Sequence, residues 1–308
     1  MTLWVTGAKG FIGRNLARHL AAQDGAVLGV GHGLWPETEA RDWGVSHWIN
    51  GEIDASTLQS LKAVGGVPTR VFHVAGGSSV GASIANPLED FNRTVTTTAR
   101  LLDWLCANAP DASLIVLSSA AVYGSDFRQA IDEDAEPNPA SPYGFHKLMM
   151  EDLCRSYAEN FGLRCTAIRL FSVYGPGLRK QLLWDLCTRL SENPERLTLS
   201  GTGNELRDWT EISDVVRLIE AAALADCPGF VALNGGSGIP TSVSSIARHV
   251  LDAWGSAASV TFDGAARRGD PHSMVAGDGF AKRQRFDWRI PIDEGIPRYV
   301  AWFKDMHK

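Results

Sequence analysis

The stretch LWVTGAKGFIGRNLARHLAA, residues 3–22, decides the fold. Its first part, LWVTG (3–7), is a short apolar run of the kind that forms a buried strand. Its last part, FIGRNLARHLAA (11–22), places Phe11, Ile12, Leu16 and Leu20 at helical spacing. Between them, TGAKGFIG sets Gly7, Gly10 and Gly13 in a GxxGxxG pattern. One glycine permits the tight turn, one lets a pyrophosphate approach the backbone, and one lets helix and strand pack closely. The helix start then offers free N–H groups and the positive end of its dipole to phosphate. A glycine triplet can also be a turn that binds nothing. Its place after a first strand and before a helix makes dinucleotide binding the stronger reading.

The same alternation continues along the chain. AVLGVG (26–31), RVFHVAG (70–76), SLIVLSSA (113–120) and part of LRCTAIRLFSVYG (163–175) read as further strands. Helices are expected near 93–107 and 143–161. Strands apolar on both faces and separated by helices indicate an α/β fold, a Rossmann-like doubly wound parallel sheet. The last third mixes short strands, Gly-rich turns and a helix at 242–254. The expected organisation is a dinucleotide-binding Rossmann domain over 1–171, with a returning segment near 208–238. A smaller C-terminal substrate-binding lobe takes 172–207 and 239–308.

Composition narrows the partners. The 308 residues carry a net charge of −6, with 44% hydrophobic and 21% charged residues, as a soluble globular chain does. No basic block stands out, so nucleic acid is not an expected partner. No apolar run approaches the length of a membrane span. The opening MTLWVTGAKG lacks a charged leader or long apolar core, and the five cysteines form no CxxC pair. The expectation is reduced thiols, a cytoplasmic location and no metal site.

An acidic residue at the end of the second strand commonly holds the ribose 2′-OH of NAD. Here the strand runs into Gly31, His32 and Gly33. The missing carboxylate removes repulsion against a 2′-phosphate, and His32 can contact one. The expected cofactor is NADP or NAD, with NADP slightly favoured.

In SPYGFHKLMMEDL (141–153), Tyr143 and Lys147 stand four apart, on one face of a helix. His146 sits beside Lys147 with no partner identifiable from the sequence. With the glycine loop, SSAAVYG (118–124) and YGFHK (143–147) in order, the chain resembles the extended short-chain dehydrogenase/reductases. More narrowly, it resembles the NAD-dependent epimerase/dehydratase family that modifies nucleotide sugars. HVAGGSSV (73–80), RLFSVYGPG (169–177), GTGNELRDWTEISD (201–214) and RRGDPHSMVAGD (267–278) extend the resemblance nearly end to end.

The resemblance implies catalytic roles for Ser119, Tyr143 and Lys147. Tyr143 would exchange the proton of a carbinol oxygen while hydride moves at its carbon. A free phenol has a pKa near 10, and the Lys147 ammonium is expected to bring it down. Cofactor contacts are expected at Gly7, Gly10, Phe11, Ile12 and Gly13, at His32, Glu52 and Ile53, at Ala75 and Gly76, and at Tyr143 and Lys147. Substrate contacts are expected at Ser119, Ser172, Arg207 and Arg267, the two arginines gripping a diphosphate through their planar forks. Ser172 and Thr94 stand where the family often has Asn.

Subclass follows by elimination. The related dehydratases carry an acidic pair after the catalytic Ser or Thr, and here that place is Ala120-Ala121. That leaves ketone reduction, alcohol oxidation and epimerisation, and the missing acidic residue after the second strand makes ketoreduction at a ring carbon, C4, of a nucleotide-diphosphate sugar the expected reaction. The alternatives are a UDP-glucose 4-epimerase-like activity and, ranked lowest, a non-catalytic cofactor sensor. The resemblance also implies a homodimer, formed by the helix near 93–107 and the helix after Tyr143 in a four-helix bundle.

Overall fold

The computed structural model describes residues 1–23, 25–225, 227–265, 271–277 and 279–307. The chain divides into two compact units. One comprises Met1–Gly124, Glu136–Leu170 and Val216–Leu233, and the other Ser125–Ala135, Phe171–Val215 and Asn234–Lys308.

The first unit is built on a seven-stranded sheet. Its strands are β1 (Thr2–Thr6), β2 (Ala26–Gly31), β3 (Val45–Asn50), β4 (Arg70–His73), β5 (Ser113–Ser119) and β6 (Arg164–Leu170), with Phe230–Gly235 on the edge beyond β6. The order β3-β2-β1-β4-β5-β6 is that of a doubly wound sheet, and these six pair in parallel. Apolar side chains fill both faces because helices cover both. These are α1 (Phe11–Ala21), α2 (Glu37–Asp42), α3 (Ala55–Gly65), α4 (Val80–Ala85), α5 (Pro87–Phe91), α6 (Thr97–Asn108) and α7 (Pro142–Phe161). The indole of Trp4 on β1 lies 5.1 Å from that of Trp104 on α6. Leu101, Leu102 and Leu105 of α6 and Met150 and Cys154 of α7 complete that core. Strand order reverses between β1 and β4, and a ligand of such a sheet binds at the strand ends there.

The helix expected over 93–107 is helical throughout, but its first turn is not α-helical. Asn92–Thr96 form a π-helical turn between α5 and α6. Threonines are the reason in the sequence. Thr97 donates its hydroxyl to the Arg93 carbonyl at 2.5 Å, and Thr98 to the Thr94 carbonyl at 2.6 Å, so side chains compete for the helix ladder. Such turns occur often at functional sites.

The second unit centres on strand Leu206–Glu211, which pairs with Ser172–Tyr174, Ser273–Met274 and, antiparallel, Pro240–Ser242. Residues 208–211 thus belong to this sheet, and the return to the main sheet is made by Phe230–Gly235. Buried Asp208 accepts bonds from the N–H groups of Ser237, Gly238 and Ala276 and from the Ser237 hydroxyl. The helix that follows Ser172–Tyr174 is Gln181–Leu190. No helix among the described residues is long and apolar enough to cross a membrane. No group of three or more His, Cys, Asp and Glu among them can hold a metal ion.

Candidate active site

The glycine loop joins β1 to α1. Gly7 has φ +68°, and a Cβ there would lie 2.8 Å from the Ala75 nitrogen; one at Gly13 would run into the Gly7 carbonyl. The loop therefore has to be glycine to bring β1, α1 and the end of β4 together. Helix α1 starts at Phe11 with Gly10 as N-cap and no side-chain cap. The first-turn N–H groups of Phe11, Ile12 and Gly13 are left for a ligand. This cradle fits the pyrophosphate of a dinucleotide.

The next strand end is less tightly specified. His32 and Glu52 are both exposed, with 3.7 Å between imidazole and carboxylate, a pairing of little energetic weight. The Gly33 N–H donates to the Asn50 side chain at 2.8 Å. Ile53 turns its side chain into the core beside Leu58 and Leu61, leaving only its backbone to face a ligand.

The carboxyl end of β4 carries the site forward. His73 is buried, and burial together with the Lys147 charge brings its pKa down to about 3, so it stays neutral. The Ala75 N–H donates to the Thr6 hydroxyl. His73 bridges the Thr6 hydroxyl at 2.8 Å and the Thr98 hydroxyl at 3.0 Å. Because Thr98 spends its own proton on the Thr94 carbonyl, it must accept from His73 Nε2. His73 is a fully bonded structural residue that ties β1 and β4 to the first turn of α6. A Cβ added at Gly76 would sit 3.3 Å from Lys147 Nζ.

Strand β5 delivers two serines in opposite directions, as strand alternation requires. The Ser118 hydroxyl donates to buried Glu151 at 2.5 Å. The Ser119 hydroxyl accepts from the Ala121 N–H and lies near enough to the Tyr143 phenol to lower its pKa. Helix α7 begins at Pro142 with the Ser141 hydroxyl accepting from the Gly144 N–H. A Cβ at Gly144 would meet the Ala121 carbonyl at 2.5 Å, so this glycine allows α7 to approach the end of β5. Lys147 is buried and donates to the Leu117 carbonyl at 2.7 Å. Its Nζ lies 5.8 Å from the centre of the Tyr143 ring.

The charges differ from the simplest expectation. Burial brings Lys147 down to about 8, against the pull of Asp90 and Glu151, which favour its charged form. The Tyr143 phenol is pushed up, not down. Burial raises it, the Ser119 hydroxyl lowers it, and the Asp90 carboxylate raises it again. A buried ammonium at this distance does not overcome the cost of a desolvated phenolate.

Ser119, Tyr143, Lys147, Gly76, Ala75 and the glycine loop thus form one contiguous set at the carboxyl ends of the strands. The remaining candidates lie in the second unit. Ser172 opens the short strand opposite Trp209. Arg207 donates to the Leu206 carbonyl at 2.8 Å. Arg267 lies outside the described residues. Sequence reasoning missed Asp90, Ser83, Glu151 and Arg169. Glu151 alone left a signal, one helical turn after Lys147. Buried Arg169 pairs with it at 2.7 Å and donates to the Tyr123 hydroxyl at 2.9 Å.

The family model for the NAD-dependent epimerase/dehydratase family matches residues 3–229. The chain belongs to that family, whose members are enzymes of the extended short-chain dehydrogenase/reductase type. A UDP-glucuronate 4-epimerase of Thermodesulfobacterium geofontis (strain OPF15) is 27% identical over 317 residues, covering 98% of this chain and 95% of that protein. MoeE5, solved in complex with UDP-glucuronic acid and NAD, superposes with a TM-score of 0.88 at 30% identity, covering 99% of this chain and 100% of that one. The UDP-glucuronic acid 4-epimerase of Bacillus cereus, solved with UDP-glucuronic acid and NAD, superposes with a TM-score of 0.87 at 26% identity, covering 99% and 100%. Two of these three are named 4-epimerases, which favours the epimerase alternative over ketoreduction. Solved relatives hold NAD, so the lean to NADP finds no support.

Proposed function

We propose that the chain is an NAD-dependent 4-epimerase of UDP-hexoses or UDP-hexuronic acids. The observation that carries this reading is the Ser119–Tyr143–Lys147 constellation beside a glycine cradle shaped for a dinucleotide. Bound NAD supplies the hydride acceptor and then the hydride donor at C4. Tyr143 takes the proton of the 4-hydroxyl as the carbon is oxidised, and returns it to the same oxygen when the carbon is reduced on its other face. Ser119 donates a hydrogen bond to that oxygen, and Lys147 balances the phenolate charge. Arg207 and Arg267 are assigned to the diphosphate and Ser172 to the sugar. The Ala120–Ala121 pair supports epimerisation over dehydration, since two methyl groups cannot expel water. The protein is assigned to the cytoplasm, as a homodimer.

The test is incubation of purified protein with UDP-glucose and, separately, UDP-glucuronic acid, with at most catalytic NAD. Nuclear magnetic resonance should show the 4-epimer accumulating to an equilibrium ratio. Tyr143→Phe should lower kcat by about 10²–10⁴-fold, with KM little changed. Absence of any 4-epimer, together with stoichiometric NADPH consumption on a 4-keto sugar, would return the reading to ketoreduction.

A further inference from the structure

Two contacts outside the Ser119–Tyr143–Lys147 set fix the first turn of α7. The Tyr143 N–H donates to the Ser83 hydroxyl of α4 at 3.0 Å, across 60 residues of sequence. His146 Nδ1 lies 2.6 Å from Asp90 Oδ2 of α5, across 56 residues. Both partners of the second contact are buried, with side chains 11% and 5% exposed. The Phe91 ring stands edge-on to the imidazole at 5.5 Å. The Asp90 carboxylate is itself walled in. A Cβ at Gly77 would collide with it, so the turn after Ala75 and Gly76 packs directly on this carboxylate. A charge buried to this degree, aimed at one side chain of the helix that carries Tyr143 and Lys147, is a costly arrangement for a surface helix pair.

We propose that Asp90 and His146 form a positioning pair for the proton step at Tyr143. His146 ties the first turn of α7 to α5, and Asp90 supplies the carboxylate that faces both Tyr143 and Lys147. This rests on the assignment of Tyr143 as the acid–base group.

The surroundings leave few other sources of charge. The charges that act on Tyr143 and Lys147 are Asp90 of α5 and Glu151 of α7; His73 of β4 is neutral, and Arg169 of β6, bonded to the Tyr123 hydroxyl, is paired with Glu151. Helix α4 (VGASIA) and strand β5 (SLIVLSS) carry no titratable side chain. Arg93 of the π-helical turn is exposed and paired with Glu89. Asp90 favours the protonated state of both groups, the phenol of Tyr143 and the ammonium of Lys147. Removing its charge therefore moves the ionisation of Tyr143 to lower pH. A contact that served only to hold the fold would leave that ionisation where it is.

The experiment uses the NAD-loaded protein. Asp90→Asn keeps an acceptor for His146 but removes the charge. His146→Gln keeps a donor to Asp90, and His146→Leu removes it. The phenolate absorbance of each variant is followed against pH, after subtraction of the same variant carrying Tyr143→Phe, and kcat and KM are measured with UDP-glucose or UDP-glucuronic acid. Asp90→Asn should shift the Tyr143 ionisation to lower pH. His146→Leu should lower kcat by about 10–100-fold through a misplaced Tyr143, with KM for the UDP-sugar within about twofold, and His146→Gln should recover most of the loss. An Asp90→Asn titration superimposed on the wild type overturns the electrostatic half. Equal kcat for His146→Leu and wild type overturns the positioning half. Should Tyr143→Phe alone keep full activity, the acid–base assignment falls instead, and the two failures are told apart.

Discussion

Lys147 is a buried ammonium, and its pKa of about 8 is the consequence of burial outweighing the pull of Asp90 and Glu151. Lys147 loses its proton near pH 8, and with it the charge proposed to balance the phenolate, so kcat/KM should fall with rising pH through a limb in that region. Lys147→Met has no proton to lose there, so that limb should vanish, and a pH–rate profile checks it. A limb that stays in place would mean that Lys147 holds the cofactor and leaves the proton alone. Ser119, Tyr143 and Lys147 stood out as candidates because each falls in a motif that carries the family resemblance: a serine at a strand end, and a Tyr and Lys one turn apart. Asp90 and His146 were not. Their pairing depends on how α5 packs against α7, which no local spacing records, and the upward shift of Tyr143 depends on a burial that only the folded chain reveals.

At the scale of elements, α7 is held by a buried ion pair. Glu151 accepts from Ser118 of β5 and from Arg169 of β6, so one carboxylate joins a helix to two strands. Burial alone would lower the Arg169 pKa, and the Glu151 carboxylate holds the guanidinium firmly protonated. Arg169→Met leaves that carboxylate buried and unpaired, a loss of about 3–5 kcal/mol. The double variant Glu151→Gln with Arg169→Met should regain a large part of it, and denaturant unfolding measures both. Additive losses would show that the pair is not a unit. The outer face of the same helix carries exposed Phe145 and Met149, one turn apart and suited to a second copy of the chain. Phe145→Glu with Met149→Glu should convert the proposed dimer into monomers in sedimentation velocity. The apolar stripes of these helices were readable from spacing. The π-helical turn before α6 was not, since it arises from competition between threonine hydroxyls and the backbone ladder.

For the molecule as a whole, the doubly wound sheet was the most legible feature. Strands buried on both faces are continuous apolar runs, and the order of motifs along the chain follows the order in which the strands were laid down. The second unit was less so: its strands are two to six residues long, too short to show periodicity, and its central strand Leu206–Glu211 is paired by three distant segments. The proposed epimerisation implies an accounting of hydride. A dinucleotide in the glycine cradle would serve as oxidant and then reductant in one turnover, so the hydrogen leaving C4 would be the one that returns. UDP-glucose carrying deuterium at C4 should give a 4-epimer with the deuterium still at C4, and mass spectrometry with proton resonance reads both its amount and its place. The primary isotope effect should appear in kcat whenever hydride transfer limits the rate. Exchange of the label with solvent would require the C4 carbon to lose a proton, and the Tyr143 assignment, which moves a proton only on oxygen, would then fail.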